Sequence, residues 1–278
     1  MIKTLIEIFS HSFLLRAIIV GLMISICASL LGVSLILKKY AMIGDGLSHV
    51  GFGALAIATA LNVSPLFISI PAVLIAAFLL LKLNDSNQIK GDSAIALIST
   101  SSLALGVLVI SKISRANIDL SSYMFGSILA LKPNDTYLSI GLSIIVLILF
   151  VLFYHKIFAV TFDETFAQAT GTNINFYNML IASLTAITIV VGMRMMGTLL
   201  ISSLVIFPGL TAMRITKTFK MTIIIACFSS IICFLIGFII SFKFVLPTGA
   251  SIVGVHLLVF IIISVLIFLK KRLICNHQ

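Results

Sequence analysis

Long apolar stretches dominate this chain and leave it few ways to fold. Nine mostly uncharged runs follow one another, near 13–37, 43–61, 64–83, 92–112, 137–156, 174–194, 196–213, 221–242 and 247–269. A helix rises about 1.5 Å per residue, so about 20 apolar residues cross the hydrocarbon core of a bilayer. In that core every backbone N–H and C=O must be paired internally, which selects helices for segments of this length. Charged residues make up 9% of the chain and apolar ones 61%, whereas a soluble domain is about a quarter charged. The expectation is an all-α polytopic membrane protein of about nine transmembrane helices, a single membrane domain over residues 1–278.

The breaks between runs carry turn chemistry. Asn62–Pro65, Asn84–Asp92 and Lys132-Pro133-Asn134-Asp135 separate spans plainly, while only Arg194 and Gly197 punctuate 174–213. The run from Phe13 is too long for a signal-peptide core and reads as the first span. A net charge of +10 does not signal nucleic acid. The basic residues sit singly or in small clusters at the ends of apolar runs, where they set topology. With the N-terminus outside and the C-terminus inside, eleven Lys and Arg fall on the inner side and seven on the outer. Cys27, Cys227 and Cys233 lie within apolar runs and Cys275 follows the last basic cluster, so they read as small packing residues rather than a disulfide or metal framework.

The polar groups that remain are the informative ones. Asp45 and His49 lie four residues apart at the start of the second run, one above the other on a helical face. Ionisable groups near lipid are expensive and mark function by default. Imidazole and carboxylate are metal donors, carboxylate suiting manganese and zinc. Two donors from one helix do not close a site, so a second chain, another helix or water must supply the rest. Gly44 and Ser48 beside them suit close helix approach or an ion path. Ser202 and Ser203 read as interhelical hydrogen-bonding groups or path lining. Pro208 predicts a kink or helix end, and His256 in the last run is a weaker candidate.

Between the fifth and sixth runs, Thr161–Gly171 predicts a short helix on the inner side. Thr161 and Glu164 fit a capping box, Asp163 and Glu164 suit the positive helix end, and Gly171 suits the stop. Phe162 and Phe166, one turn apart, predict an apolar stripe. Asp119–Leu131 predicts a short outer or re-entrant helix. No Walker loop and no His-Glu-x-x-His occurs, which disfavours an intramembrane zinc protease and means that, if ATP drives the protein, another chain must bind it.

Four blocks in this order resemble the permease subunit of bacterial zinc, manganese and iron ABC importers. They are the basic pair Lys38-Lys39 leading to Gly44-Asp45 and Ser48-His49, then Tyr123–Ala130, then Gly197-Thr198-Leu199-Leu200 through Pro208, and Pro247-Thr248-Gly249-Ala250. The resemblance covers nearly the whole chain. Gly209 and Ser202–Ser203 stand where the family often has Ala, a change that keeps the residues small. It implies a permease fold like that of vitamin-B12-type importers, placed in the bacterial cytoplasmic membrane. It implies a pathway between two copies, separate ATP-binding subunits, and an extracellular lipoprotein or periplasmic protein that delivers the ion. Asp45 and His49 match the family's metal positions, and Thr161–Gly171 matches the helix that docks on the ATPase. No permanent cofactor is implied, only the transported divalent metal, zinc before manganese or iron. Two other readings remain at this point. An ion-coupled secondary metal transporter would need more buried carboxylates or an Arg, and an assembly protein would use Asp45 and His49 merely for packing.

Overall fold

The computed structural model describes residues 12–85, 91–113, 126 and 133–275. The predicted segment Asp119–Leu131, and with it all of Tyr123–Ala130 but Gly126, lies outside these residues. Every regular element among them is an α-helix. In chain order these are α1 (Ser12–Leu37), α2 (Ile43–Ala60), α3 (Pro65–Asp85), α4 (Gly91–Ile113), α5 (Pro133–Leu152) and α6 (Tyr154–Phe162). There follow α7 (Glu164–Ala169), α8 (Ile174–Met196), α9 (Thr198–Ile215), α10 (Phe219–Phe244) and α11 (Thr248–Cys275).

Seven of them are long and apolar enough to cross a membrane: α1, α3, α4, α5, α8, α10 and α11. The two remaining expected spans correspond to α2 and α9. The apolar part of α9 is the shorter stretch Leu200–Ile215. α2 is diluted by Asp45, His49 and four glycines. Both are largely enclosed by neighbouring helices. α2 packs among α3, α4, α8 and α9, and α9 packs on α1, α10 and α11. Of the seven, α1 is the most enclosed, surrounded by α5, α8, α9 and α10, and α11 is the least.

Two close approaches set this packing. At Gly32 on α1 an added Cβ would stand 1.9 Å from the Val205 carbonyl oxygen of α9, so only glycine lets these backbones touch. Gly197 separates α8 from α9 at φ 80° and ψ 164°, a conformation for glycine alone. The weakly punctuated run 174–213 is therefore two helices. Asn62, at φ 53°, makes the left-handed turn after α2.

Three expectations are corrected. The fifth run does not continue to residue 156: it breaks at Phe153, and Tyr154–Phe162 forms a separate helix. The short helix expected after the fifth run is Glu164–Ala169, not Thr161–Gly171, and Thr161 does not cap it. Thr161 lies in the last turn of α6 with its hydroxyl donating to the Ile157 carbonyl, and Asp163 takes the cap by accepting the Phe166 N–H at 2.9 Å. Extended backbone at Asp163 frees its carboxylate for that bond, which a residue inside α6 cannot offer. Phe162 and Phe166 consequently sit on different helices and make no single stripe. Of the kink or helix end expected at Pro208, the helix end is not found, since α9 runs on to Ile215 with Pro208 inside it; neighbouring helices around a buried proline tolerate the lost hydrogen bond.

Candidate functional site: an open Asp–His pair at the start of α2

The pair forms because the α1–α2 junction is short and hydrogen-bonded. Lys39 takes a left-handed turn at φ 62°, Tyr40 N–H bonds back to Leu35, and Ile43 N–H bonds to Tyr40, so α2 starts at once. Asp45 then lies in the first turn of α2, where the helix dipole favours a carboxylate. His49 follows on the same face, with its Nε2 3.7 Å from Asp45 Oδ2. That distance is too long for a hydrogen bond.

The groups around the pair hold it loosely. The Ser202 hydroxyl on α9 lies 3.2 Å from Asp45 Oδ1 and 3.1 Å from its own helix's Thr198 carbonyl, and has one proton for both. Ser48 donates to the Asp45 main-chain carbonyl at 2.7 Å and lies 3.4 Å from the Ser202 hydroxyl. His49 Nδ1 is buried without a hydrogen-bond partner. The Asp45 side chain is 37% exposed and that of His49 17%. His49 Nε2 is the nitrogen that faces the half-open carboxylate, so Nε2 and Asp45 Oδ2 are the two atoms a cation could bridge. Among the described residues no group of three or more His, Cys, Asp and Glu side chains gathers that could hold a metal ion.

The other expected residues are distributed as follows. Gly44 is buried, with Val205 3.6 Å from where its Cβ would be, which is ordinary packing. Ser202 joins the pair, as described; Ser203 is half-buried on the same helix and Pro208 is buried one turn beyond. His256 is 3% exposed, its Nε2 has no partner, and it does not join Asp45 and His49. His155 is exposed. Cys27 and Cys233 are buried and free, and Cys227 accepts from Ser29 at 3.5 Å, in keeping with packing roles.

At the short helix α7, Phe162 and Phe166 are both exposed. Phe162 also packs with Phe158 and Phe219, at ring distances of 5.0 and 5.7 Å. Gly171 follows the helix at φ 76°. An open polar cleft beside α7 is lined by Glu164, Gln168, Thr172, Asn175 and Asn178. Burial raises the Glu164 pKa, but the hydrogen bond and charge of Lys38 and the hydrogen bond of Asn178 outweigh it and hold the carboxyl below its ordinary value. Hydrogen bonds from Thr165 and the Phe166 N–H lower that of Asp163.

Two ionic contacts escaped sequence reasoning. Lys38 contacts Glu164 at 2.7 Å and also bonds Asn178 Oδ1, with its side chain only 4% exposed. At the other end of the bundle, Arg194 in the last turn of α8 meets Asp135 in the first turn of α5 at 2.8 Å, with side chains 15% and 14% exposed. Their helix-terminal positions are visible in the sequence, but nothing local marks either as paired.

Comparison with known proteins now bears on this geometry. Residues 10–267 match the ABC 3 transport family. The manganese import system permease protein ScaB of Streptococcus gordonii is 32% identical over 260 residues, covering 94% of this chain and 93% of ScaB. The high-affinity zinc uptake system membrane protein ZnuB of Haemophilus influenzae is 31% identical over 261 residues, covering 94% and 98%. In solved structures, PsaBC from Streptococcus pneumoniae, in complex with Fab, superposes with a TM-score of 0.85 at 29% identity, covering 95% of each chain. With a matching profile over nearly its full length and apolar helices to span the bilayer, the chain is a membrane protein of the ABC 3 transport family.

Proposed function

We propose that this chain is the membrane-spanning subunit of an ATP-driven importer of divalent metal ions, in which Asp45 and His49 hold the ion in transit. The observation that carries the reading is the loose pair itself: a half-open Asp45 carboxylate faced by His49 Nε2 at 3.7 Å. An ion in passage needs ligands that offset its lost hydration without trapping it. Two donors are too few for a closed tetrahedral site, so a second copy of the chain, another helix or water supplies the others. Gly44, Ser48 and Ser202 give the ion's path its small, polar wall, and Ser203, Pro208 and His256 shape its surroundings.

In this reading α2 and α9 also cross the membrane, making nine crossings within one domain over 1–278, folded like the vitamin-B12-type permeases. The N-terminus faces outward and the C-terminus inward, in the bacterial cytoplasmic membrane. Hydrolysis belongs to a separate ATP-binding subunit that docks on α7 and its flanks, using Phe162, Phe166 and the residues from Thr161 to Gly171. An extracellular binding protein delivers the ion. Membership in an ABC transport family removes the motive for the ion-coupled alternative.

Zinc is the first substrate and manganese the second, with iron third. Relatives named for zinc and for manganese match about equally, while mixed nitrogen and oxygen donors bind zinc more tightly by the Irving–Williams trend. Radioactive zinc, manganese and iron uptake into proteoliposomes carrying the full transporter tests this. ATP-dependent uptake of zinc, lost in Asp45→Ala, is expected. Wild-type uptake by Asp45→Ala would show that the pair only packs.

A further inference from the structure

We infer that Lys38 is a positioning residue that links α7 to the ion-binding helix, so that a displacement of α7 is carried to Asp45 and His49. The inference rests on α7 being the ATPase contact. Four observations support it. A lysine is seldom buried unless paired, and the Lys38 side chain is 4% exposed with its ammonium on Glu164 and Asn178. The Asn178 amide also donates to Glu164 Oε1 at 3.3 Å, so one carboxylate oxygen joins the α1–α2 junction, α7 and α8. α7 has only six residues and one buried side chain, Ala167, and its half-exposed Glu164 carboxylate ties it to Lys38 and Asn178.

The path onward is short and stiff. Tyr40 N–H bonds Leu35 at 2.8 Å, Ile43 N–H bonds Tyr40 at 3.0 Å and Gly46 N–H bonds Met42 at 3.0 Å. Ile43 is buried at 4% exposure. No slack loop therefore separates Lys38 from Asp45. A buried ammonium follows its counter-charge, because leaving it unpaired is costly. If α7 moves, Lys38 moves with it or the contact breaks, and either event shifts the start of α2.

The test is the number of metal ions imported per ATP hydrolysed, measured in proteoliposomes with the full transporter. Lys38→Met keeps length and loses charge. It is expected to lower the ratio about fivefold or more, the low end of ordinary coupling between sites, with the ATPase subunit still co-purifying. Glu164→Gln and the double variant complete a cycle, and the two losses should not add. The exchange Lys38→Glu with Glu164→Lys should restore part of the ratio, which ties the effect to the pair rather than to either residue alone. A wild-type ratio in Lys38→Met overturns the inference. If that variant misfolds, Lys38→Met with Glu164→Met removes both charges together; a folded double variant with a wild-type ratio overturns it equally. Docking is read separately. Phe166→Ala that keeps full ATPase association and uptake refutes the docking surface, whatever Lys38 does.

Discussion

Two carboxylate–cation pairs in this molecule have opposite character. Arg194 and Asp135 meet at 2.8 Å, with both side chains mostly buried. Each also sits at the helix end whose dipole suits its charge: Asp135 at the start of α5, Arg194 at the end of α8. Asp45 and His49 stand 3.7 Å apart, the carboxylate more than a third exposed, the imidazole with a buried nitrogen unmatched. The first pair is close and mostly buried, which suits tying two helix ends together, although Arg194 Nη1 and Asp135 Oδ2 also lack hydrogen-bond partners. The second is looser and its carboxylate more open, which suits a passing cation. The two pairs therefore differ in distance and in the exposure of the carboxylate, not in having unmatched atoms.

This contrast breaks most decisively at Asp45. Asp45→Asn keeps the shape, loses the charge that offsets a divalent ion, and is expected to abolish uptake while leaving thermal stability unchanged. A fall in melting temperature together with normal uptake per folded molecule would reverse the two roles. The complementary variant is Asp135→Asn. Leaving Arg194 buried without its partner should lower stability by about 3 kcal/mol, read as an earlier thermal transition in detergent, with uptake per folded molecule retained. Replacing both, as Asp135→Leu with Arg194→Met, should recover much of that loss, because an apolar pair needs no desolvation.

A smaller effect is expected at His49. His49→Gln keeps an oxygen donor, so uptake should fall less than in Asp45→Asn, with a raised half-saturating metal concentration as the readout. The mildest perturbation is pH. Both Asp163 and Glu164 have depressed folded values. Their support of α7 is therefore complete at neutral pH, above the unfolded values, and is lost only as pH falls through the folded ones. ATPase association measured on acidification should hold through the ordinary carboxylate range and weaken below it.

Much of the architecture was legible in the residues. Apolar runs located the membrane helices, because a bilayer demands length and hydropathy from contiguous sequence. The Asp45–His49 pair was legible for a similar reason: i,i+4 neighbours on one helix need no tertiary information. The break at Gly197 was only faintly marked, and the structure makes it a full helix boundary. The capping of α7 was misread, since Thr161 and Asp163 both satisfy the local pattern and the end of α6 decides between them.

Sequence by itself determined that this chain crosses a membrane as helices, carries a metal-competent pair near the start of α2, and lacks its own nucleotide-binding loop. These follow from composition, period and spacing, which are local. Only the tertiary structure decided that Ser202 reaches Asp45 across 157 positions, that Lys38 is buried on Glu164 across 126, and that Arg194 closes on Asp135. A lone lysine or arginine at a helix end looks solvated in any sequence, and what makes it otherwise is a partner brought in by packing of distant helices.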